Sequence, residues 1–251
     1  TGDFETKLEN YNILEFQQIS NSFNEMTVRI ETLIKEVYET QLLVKEARLQ
    51  YLQAQINPHF MFNVLTMIAI KVKKHRDEEL YQTVTSFAGL MRGKLFRRNE
   101  VEIKLKEEME IAGFYLYLQS ERFKDIITYN IEWESDEIKE CYVPRLCIEP
   151  IVENAVIHGL EPKGTEGRIR VAIREASEDS INIVVEDDGV GFNVNEMDDR
   201  KDNKNPRVGV MNIQRLIRNL YGDKYGVLFQ SEIGKGTIVT VCLPMRKDRT
   251  V

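Results

Sequence analysis

Polar side chains with the chemistry of a metal or nucleotide site are grouped in one apolar segment. Residues 149–160 read EPIVENAVIHGL, and on a helix Asn154 and His158 lie one turn apart on one face. Glu149 and Glu153 share a face in the same way. A carboxamide together with carboxylates suits a hard, hydrated cation such as Mg²⁺. The segment therefore predicts a helix that helps to hold a cation.

A second group follows an apolar run that ends at Val185. Residues 186–192 read EDDGVGF. Gly189 and Gly191 permit a tight turn and the close approach of a ligand. Asp187 offers an acceptor for an exocyclic amine, so the segment predicts one end of a ligand pocket.

Two further glycine sites follow. Gly209 lies between two valines at the start of a predicted helix, where a phosphate is bound well. Gly234, Gly236 and Thr237 belong to the run GKGT between two predicted strands. Each of these signals alone is also what an ordinary turn or helix contains. Their fixed order, with a polar loop at residues 193–206, is far more specific.

The first half contains a proline in an unusual place. Residues 52–63 read LQAQINPHFMFN after a long helix-forming segment. Inside a helix, Pro58 would cost roughly 3 kcal/mol. It either bends a continuous helix beside His59 or starts a new helix with Asn57 as its N-cap. Asn63 follows His59 by four residues, which puts both on one helix face.

The elements before this proline have a heptad pattern. A repeat sustained over this length predicts a supercoiled helix pair and hence a dimer. A single amphipathic helix lying on a domain is the alternative. The apolar positions follow one another at alternating spacings of three and four, and they are Phe16, Ile19, Phe23, Met26, Ile30, Leu33 and Val37.

The remaining elements predict an α+β sandwich with a helical layer on one sheet. A helix at about residues 79–96 forms a hairpin with the helix through His59. Another helix covers residues 104–122, and the domain boundary falls between Asn99 and Phe123. After it, the predicted strands are 126–133, 168–174, 180–185, 227–231 and 237–243, and the predicted helices are 146–158 and 208–221.

Composition excludes several classes of protein. The 251 residues carry a net charge of −7, which argues against a general nucleic-acid binder. Cys141, Cys147 and Cys242 have no metal-type spacing and indicate reduced thiols. The sequence has no apolar run of the roughly 20 residues that a membrane span needs, and no signal peptide. A soluble fragment is expected.

The motifs resemble a known family. Asn154, Asp187, the glycines and the polar loop look like the N, G1, lid and G2/G3 boxes of the Bergerat-type ATP-binding fold. QINPHFMFN is similar to the phosphoacceptor motif of LytS/YesM-like sensor histidine kinases, whose usual form is QINPHFLFN. The run EFQQISNSFNEMTVRI resembles the second helix of a HAMP signalling module.

This resemblance implies an organisation and a reaction. Residues 1–45 would form a partial HAMP module and signalling coiled coil, 46–100 a dimerising phosphotransfer hairpin, and 101–251 the catalytic ATP-binding domain. ATP would phosphorylate His59, and the phosphoryl group would pass to an aspartate of a response regulator receiver domain. The chain would be a homodimer and the cytoplasmic part of a bacterial cell-membrane protein. It would contact the membrane only through missing N-terminal segments and would bind no nucleic acid.

The resemblance also assigns roles. Asn154 would coordinate Mg²⁺, Asp187 would bind the adenine amine, and His158 would reach a phosphate or merely cap the helix. Asn63 would hold the water that dephosphorylates the receiver, or merely solvate the helix surface. The glycine sites would surround the nucleotide: Gly189 and Gly191 at the adenine, Gly209 near the phosphates, and Gly234, Gly236 and Thr237 on the far side.

Two residues depart from the general histidine kinase pattern. Phe60 stands directly after His59, where many histidine kinases carry an acidic general base, and this leaves Glu153 as the candidate base. Arg207 stands where the second glycine box commonly has its first glycine. Two other functions stay open: a Bergerat-type ATPase or serine kinase without an acceptor histidine, and a non-catalytic dimeric scaffold.

Overall fold

The computed structural model describes residues 14–54, 58–95, 100–124, 126–177, 179–193 and 207–249. The chain divides into two compact units, residues 1–57 and residues 58–251. Among the helices in the described ranges, none is both long and apolar enough to cross a bilayer.

The first unit contains one long helix, α1 (Leu14–Ala54). Its sequence has no proline or glycine inside these bounds, so nothing interrupts the backbone hydrogen bonds. Part of the heptad stripe is exposed in the single chain: Val37 is 54% and Met26 52% exposed. This exposure is what an unpaired coiled-coil strand would have, and the helix pair itself stays a prediction.

The second unit begins with a helical hairpin. Helix α2 (Pro58–Lys74) starts at the proline itself. In the first turn a proline costs little, because the N–H that it lacks would have no partner inside the helix. The two interpretations of Pro58 differ in residues 55–57, which include the predicted N-cap Asn57 and lie outside the described residues, so both stay predictions.

The second helix of the hairpin, α3 (Glu78–Leu95), returns alongside the first. The Asp77 carboxylate accepts the N–H of Leu80 at 3.0 Å and thereby satisfies one of the free donors at the helix start. Helix α4 (Leu105–Arg122) then packs against α3. The two predicted helices are thus present within one or two residues of their expected ends.

Within the described residues, five strands form one mixed sheet in the order β2-β4-β5-β7-β6. Strands β2 and β4 are parallel, and the other neighbours are antiparallel. The short strands β1 (Glu102–Lys104) and β3 (Tyr142–Pro144) pair separately. The strands of the sheet are β2 (Ile127–Trp133), β4 (Gly167–Ser177), β5 (Ser180–Asp187), β6 (Gly226–Glu232) and β7 (Gly236–Pro244).

The parallel pair requires a crossover connection, and this connection carries the segment EPIVENAVIHGL. Helix α5 (Glu149–Asn154) continues directly into a π-helical turn, Ala155–Leu160. The predicted helix therefore starts three residues later than expected and widens after Asn154. Helix α6 (Arg207–Tyr221) follows strand β5.

The core lies between the sheet and the helices α4, α5 and α6. Fully buried side chains alternate along the strands, as on a sheet with one covered face. The predicted α+β fold class is confirmed. The largest fully buried residues include Leu105, Leu116, Ile151, Ile169, Ile173, Ile181, Ile183 and Ile217.

Candidate nucleotide-binding site

A small cavity lies where α5, its π-helical continuation and α6 meet the ends of β5 and β7. Its volume is about 60 Å³. Apolar side chains form its walls, and a few polar groups face it, which is the usual composition of a small-molecule site. The apolar residues are Ile151, Ala155, Val185, Phe192, Val210, Phe229 and Val239, and the polar ones are Asn154, His158, Asp187 and Thr237.

Asp187 supplies the buried carboxylate of this cavity. It is the last residue of β5 and is 5% exposed. Its Oδ1 accepts the N–H of Gly189 at 2.9 Å. Burial raises the pKa of Asp187 to about 6, although hydrogen bonds from the backbone of Gly189 and Thr237 oppose the rise. Near neutral pH the cavity therefore contains an ionised acceptor in apolar surroundings.

The adjacent Asp188 has a different environment. Its Oδ1 accepts the N–H of Arg168 at 2.8 Å and a hydrogen bond from Lys163 Nζ at 3.0 Å. These contacts fasten the turn to the start of β4 and leave Asp187 as the carboxylate that faces the cavity. Of the two aspartates in EDDGVGF, the sequence prediction named the one that lines the cavity.

Gly159 and Gly189 bring two backbone segments together beside Asp187. The N–H of Val190 donates to the carbonyl of Gly159 at 3.0 Å. A Cβ at Gly159 would lie 2.6 Å from Asp187 Oδ1, closer than side chains pack. The sequence analysis did not single out Gly159. Gly159 directly follows the predicted helix 146–158, where a glycine usually serves only to end the helix, so no sequence pattern indicated this contact.

The remaining glycines join this turn to the β6–β7 turn. Gly191, Gly234 and Gly236 have φ angles of 59°, 77° and 101°, which favour glycine. The N–H of Gly234 donates to the carbonyl of Val190 at 2.7 Å. Gly191 and Gly234 thus belong to the packing of these two turns, and both Gly191 and Thr237 line the cavity.

Ser231 was missed by the sequence analysis. Its Oγ accepts the N–H of Phe192 at 2.9 Å and donates to the carbonyl of Gly236 at 3.0 Å. It also lies 2.9 Å from Thr237 Oγ1. A serine in a strand of mixed composition carries no signal for such a role. It links the aspartate turn to the wall of the cavity.

Asn154 and His158 also line the cavity. Asn154 ends α5 and is half-buried, whereas His158 is exposed in the π-helical turn. A Cβ at Gly209 would lie 3.7 Å from Asn154 Nδ2, so this carboxamide lies beside the first turn of α6. The structure therefore brings Asn154 and His158 to the cavity, and Gly209 beside Asn154. The predicted lid, residues 193–206, lies almost entirely outside the described residues.

The carboxylates of Glu149 and Glu153 have another partner. Lys94 Nζ lies 2.7 Å from Glu149 Oε1 and 3.6 Å from Glu153 Oε2. The expectation that these carboxylates accompany Asn154 at a cation is therefore not met, because an ammonium group occupies them. Within the described ranges, no group of three or more His, Cys, Asp or Glu side chains could hold a metal ion.

The predicted acceptor lies in the first turn of α2. The backbone of His59 belongs to this helix, and its side chain lies outside the described residues. Asn63, one turn further, is exposed. Phe62 turns toward α3, where the Arg92 guanidinium lies 4.1 Å from the centre of its ring. Asn63 and Phe62 thus point to different sides, as the helical spacing predicted.

Two family models match the chain. One, described as "Histidine kinase", matches residues 47–127. The other, described as "Histidine kinase-, DNA gyrase B-, and HSP90-like ATPase", matches residues 144–247. The first match includes the hairpin and α4, and the second includes the cavity with Asn154 and Asp187.

Relatives cover most of the chain. It is 32% identical over 236 residues to the sensor histidine kinase YesM of Bacillus subtilis. The aligned region covers 93% of this chain and 40% of YesM. It is 28% identical over 225 residues to the sensor protein LytS of Oceanobacillus iheyensis, and this aligned region covers 86% of this chain and 37% of LytS. The chain thus spans about two fifths of the length of these relatives.

One solved structure that the chain matches is the histidine kinase domain of a blue-light activated kinase from Erythrobacter litoralis. The match has a TM-score of 0.44 at 18% identity and covers 72% of this chain and 83% of that one. The two family models and the sequence relatives agree with the motifs quoted from the sequence. This chain belongs to the sensor histidine kinases, in the LytS/YesM-like group.

Proposed function

We propose that the chain is the kinase part of a two-component sensor, which transfers the γ-phosphoryl group of ATP to His59. The observation that carries this proposal is the apolar cavity with the nearly buried carboxylate of Asp187. An ionised acceptor facing a narrow apolar space suits an adenine ring with its exocyclic amine. The match of the ATPase family model to this region supports the same ligand.

The surroundings of Asp187 support this fit. The Gly189 N–H already occupies Oδ1, which fixes the carboxylate in one orientation. Gly159 leaves open the space beside the carboxylate that a Cβ would fill. The side chains of Val185 and Val239 offer apolar contact to a flat ring. The turn thus already presents the acceptor that the exocyclic amine of adenine would contact.

The phosphates would lie toward Asn154 and α6. The first N–H groups of a helix have no partners within it and attract anions. Gly209 lies in this first turn with Asn154 beside it, and His158 also lines the cavity. We assign Asn154 to Mg²⁺, which when bound neutralises charge on the phosphates. His158 is assigned to the phosphates.

In the transfer step, a ring nitrogen of neutral His59 attacks the γ-phosphorus. A nitrogen–phosphorus bond forms, the bond to the β,γ-bridging oxygen breaks, ADP leaves, and the imidazole gives up the proton on its other ring nitrogen. Glu153 is the candidate acceptor of this proton. Its half-exposed carboxylate lies 3.6 Å from Lys94 Nζ.

A second transfer follows from the family. The phosphoryl group passes from His59 to an aspartate carboxylate on the receiver domain of a response regulator, and the histidine is regenerated. Asn63, exposed one helical turn away, would then hold a water for hydrolysis of the acyl phosphate, because a carboxamide both donates and accepts hydrogen bonds. The exposure of Asn63 supports this role.

We also infer the context of the chain. Residues 1–45 would be a partial HAMP module and coiled coil, 46–100 the dimerising hairpin and 101–251 the catalytic domain. The exposed heptad side chains of α1 support a homodimer. Because the chain spans about two fifths of the length of its relatives, we assign membrane attachment to a part of the protein outside these 251 residues and place these residues on the cytoplasmic side.

The test is autophosphorylation with ATP labelled at the γ-position. We expect label on His59 that is acid-labile and alkali-stable, as phosphohistidine is. His59→Ala should abolish it while ATP binding persists, and Asn154→Asp should abolish it through the pocket. His75→Ala, at the exposed turn between α2 and α3, is the matched control and should label normally.

Four other results would reject the proposal or part of it. Acid-stable label would favour a serine kinase, and ATP hydrolysis without any label would favour an ATPase that lacks an acceptor histidine. Nucleotide binding without hydrolysis or label would identify a non-catalytic dimeric scaffold. Label that persists after His59→Ala would reject the acceptor assignment.

A further inference from the structure

The hairpin and the nucleotide-binding domain are joined by a close contact between α3 and α4. A Cβ at Gly89 would lie 2.7 Å from Cδ2 of Phe114, and one at Gly93 would lie 2.7 Å from Cδ1 of Ile111. Two side chains of α4 therefore rest on two glycines one helical turn apart on α3. Contacts between a large side chain and a glycine allow two helix backbones to approach closely, and they fix the position of one helix along the other.

The far end of the same two helices is also paired. Lys124 Nζ, just after α4, lies 2.5 Å from Glu79 Oε1 in the first turn of α3. Both groups are exposed, so this pair adds little to stability. It shows that α3 runs antiparallel to α4 along its whole length, from Glu79 to Gly93.

Arg145 holds the last turn of α3. Its guanidinium donates to the carbonyls of Gly93 at 2.9 Å and Lys94 at 2.8 Å. The last carbonyls of a helix have no partners within it, and a cation near them is favourable. The backbone N–H of Arg145 in turn donates to the carbonyl of Val101 at 3.0 Å. The end of the hairpin is thus attached to the domain by backbone and side chain.

Lys94 makes the contact nearest the nucleotide site. Its ammonium pairs with Glu149 at 2.7 Å and Glu153 at 3.6 Å, which are the first and fifth residues of α5. Asn154 follows Glu153 directly. Glu149 is 2% exposed, and its burial raises its pKa, which the Lys94 ammonium opposes more than any other group. Without Lys94, a buried carboxylate next to the nucleotide site would lose its counter-charge.

This end of the hairpin is also the end that carries the acceptor. Arg92, two residues before Lys94, lies against the ring of Phe62, and Phe62 is three residues after His59. A residue of α2 near the acceptor, the end of α3 and the start of α5 are thus connected by successive contacts. The phosphoacceptor end of the hairpin and the nucleotide-site helix are held together through Lys94.

We propose that Lys94 is a positioning residue for phosphoryl transfer: its ion pairs with Glu149 and Glu153 align the acceptor hairpin with the nucleotide site. The proposal rests on the proposed kinase function. Transfer depends on the alignment of donor and acceptor, and small misplacements cost large factors in rate. Lys94 is not among the residues that line the cavity, so its loss should affect the transfer rate and leave nucleotide affinity unchanged.

The experiment measures autophosphorylation over a range of ATP concentrations. Lys94→Met keeps the length of the side chain and removes its charge, and we expect the maximal rate to fall about tenfold or more with an unchanged KM for ATP. Lys94→Arg keeps the charge and should restore most of the rate. Glu149→Gln, a nearly isosteric change at the buried partner, should reproduce the loss.

Lys139→Met is the matched control. Lys139 is 36% exposed, against 34% for Lys94, and it pairs with Asp136 at 2.6 Å away from the hairpin. It should label at the wild-type rate. The melting temperatures of all variants are measured in parallel, and Lys94, being one-third exposed, should tolerate substitution without unfolding.

Three results would overturn the proposal. The first is an unchanged autophosphorylation rate in Lys94→Met. The second is a raised rate, which would mean that the contact inhibits transfer. The third is a loss of rate with an equal rise in the KM for ATP, which would indicate damage to the pocket. Failure of the kinase function itself gives a different result, because the wild-type chain would then carry no phosphohistidine at all. The two failures are therefore distinguishable.

Discussion

The substitution Asp187→Asn tests two claims about the carboxylate in the cavity: that it binds ATP, and that its ionised form lowers the stability of the folded chain. Burial raises the pKa of Asp187 from 3.8 to about 6. A difference of one in pKa corresponds to about 1.4 kcal/mol. Above pH 6 the folded chain therefore carries a cost of about 3 kcal/mol for holding this group ionised. The asparagine variant has no such cost, and its Oδ1 can still accept the Gly189 N–H.

The sign of the pH dependence follows from the same values. Below pH 3.8 the carboxyl group is protonated in the folded and the unfolded chain, and it imposes no penalty. Between pH 3.8 and 6 the unfolded chain loses this proton first, so the wild-type protein loses stability as the pH rises. Above pH 6 the loss is complete. The stability difference between Asp187→Asn and wild type should therefore grow through this window and then stay constant.

The assay is thermal unfolding without nucleotide from pH 5 to 8. For a unit of this size, 1 kcal/mol shifts the melting temperature by about 2–4 °C, so the variant should melt about 6–12 °C higher at pH 8. ATP affinity should fall about tenfold to a hundredfold, because a hydrogen bond to a charged group contributes roughly 1.5–3 kcal/mol. Asp188→Asn is the control, since the Asp188 side chain is 53% exposed. It should give no rise in melting temperature.

Two outcomes would refute this reasoning. One is a variant that melts at or below the wild-type temperature at pH 8. The other is a difference in melting temperature that does not change between pH 5 and pH 8, because a pH-independent gain would come from packing and not from ionisation. Unchanged ATP affinity in a stabilised variant would separate the two claims: the carboxylate would be buried as described, without contacting adenine.

Three further predictions concern the cavity, the dimer and the phosphatase reaction. Gly159→Ala places a Cβ 2.6 Å from Asp187 Oδ1, so ATP binding measured by calorimetry should be lost, whereas Gly113→Ala, whose Cβ meets its nearest neighbour at 3.7 Å, should bind normally. Replacing Ile30 and Val37 by lysine should shift sedimentation toward monomer, since each change removes a side chain worth roughly 1.5–3 kcal/mol when buried; a wild-type monomer at micromolar concentration would contradict this. Asn63→Ala should accept phosphate normally and leave a phosphorylated receiver intact for longer, and equal decay with both proteins would exclude Asn63 from the hydrolysis.

The sequence predicted those parts of the fold that depend on local patterns. Strand β5 was expected because its apolar residues alternate, and Asp187 was expected because it ends this strand before two glycines. Strands β1 and β3 were missed because each has three residues, too few for an alternation to be visible. The helix at residues 146–158 was expected to begin earlier than Glu149, because nothing in its apolar run marks the start.

Contacts between distant parts of the chain could not be predicted in the same way. Glu149 and Glu153 were expected to face a cation because they share a helix face, and they do share it. Their partner, Lys94, lies in another helix, and no local pattern connects it to them. Gly159 and Ser231 were missed for the same reason, since each acts through a backbone segment that is remote in sequence.

The parallel pairing of β2 and β4 has a consequence for folding kinetics. Residues 134–166 connect the two strands, and they include α5 and the π-helical turn with Asn154, His158 and Gly159. Closing a loop of this length costs entropy before any contact across it forms, so this pairing belongs to the slow steps of folding. The cavity cannot exist until it is complete, since one wall is the connection itself. A fluorescent ATP analogue added during refolding would therefore gain signal only as the last phase ends, and a nascent chain would acquire its nucleotide after strand β7 has left the ribosome.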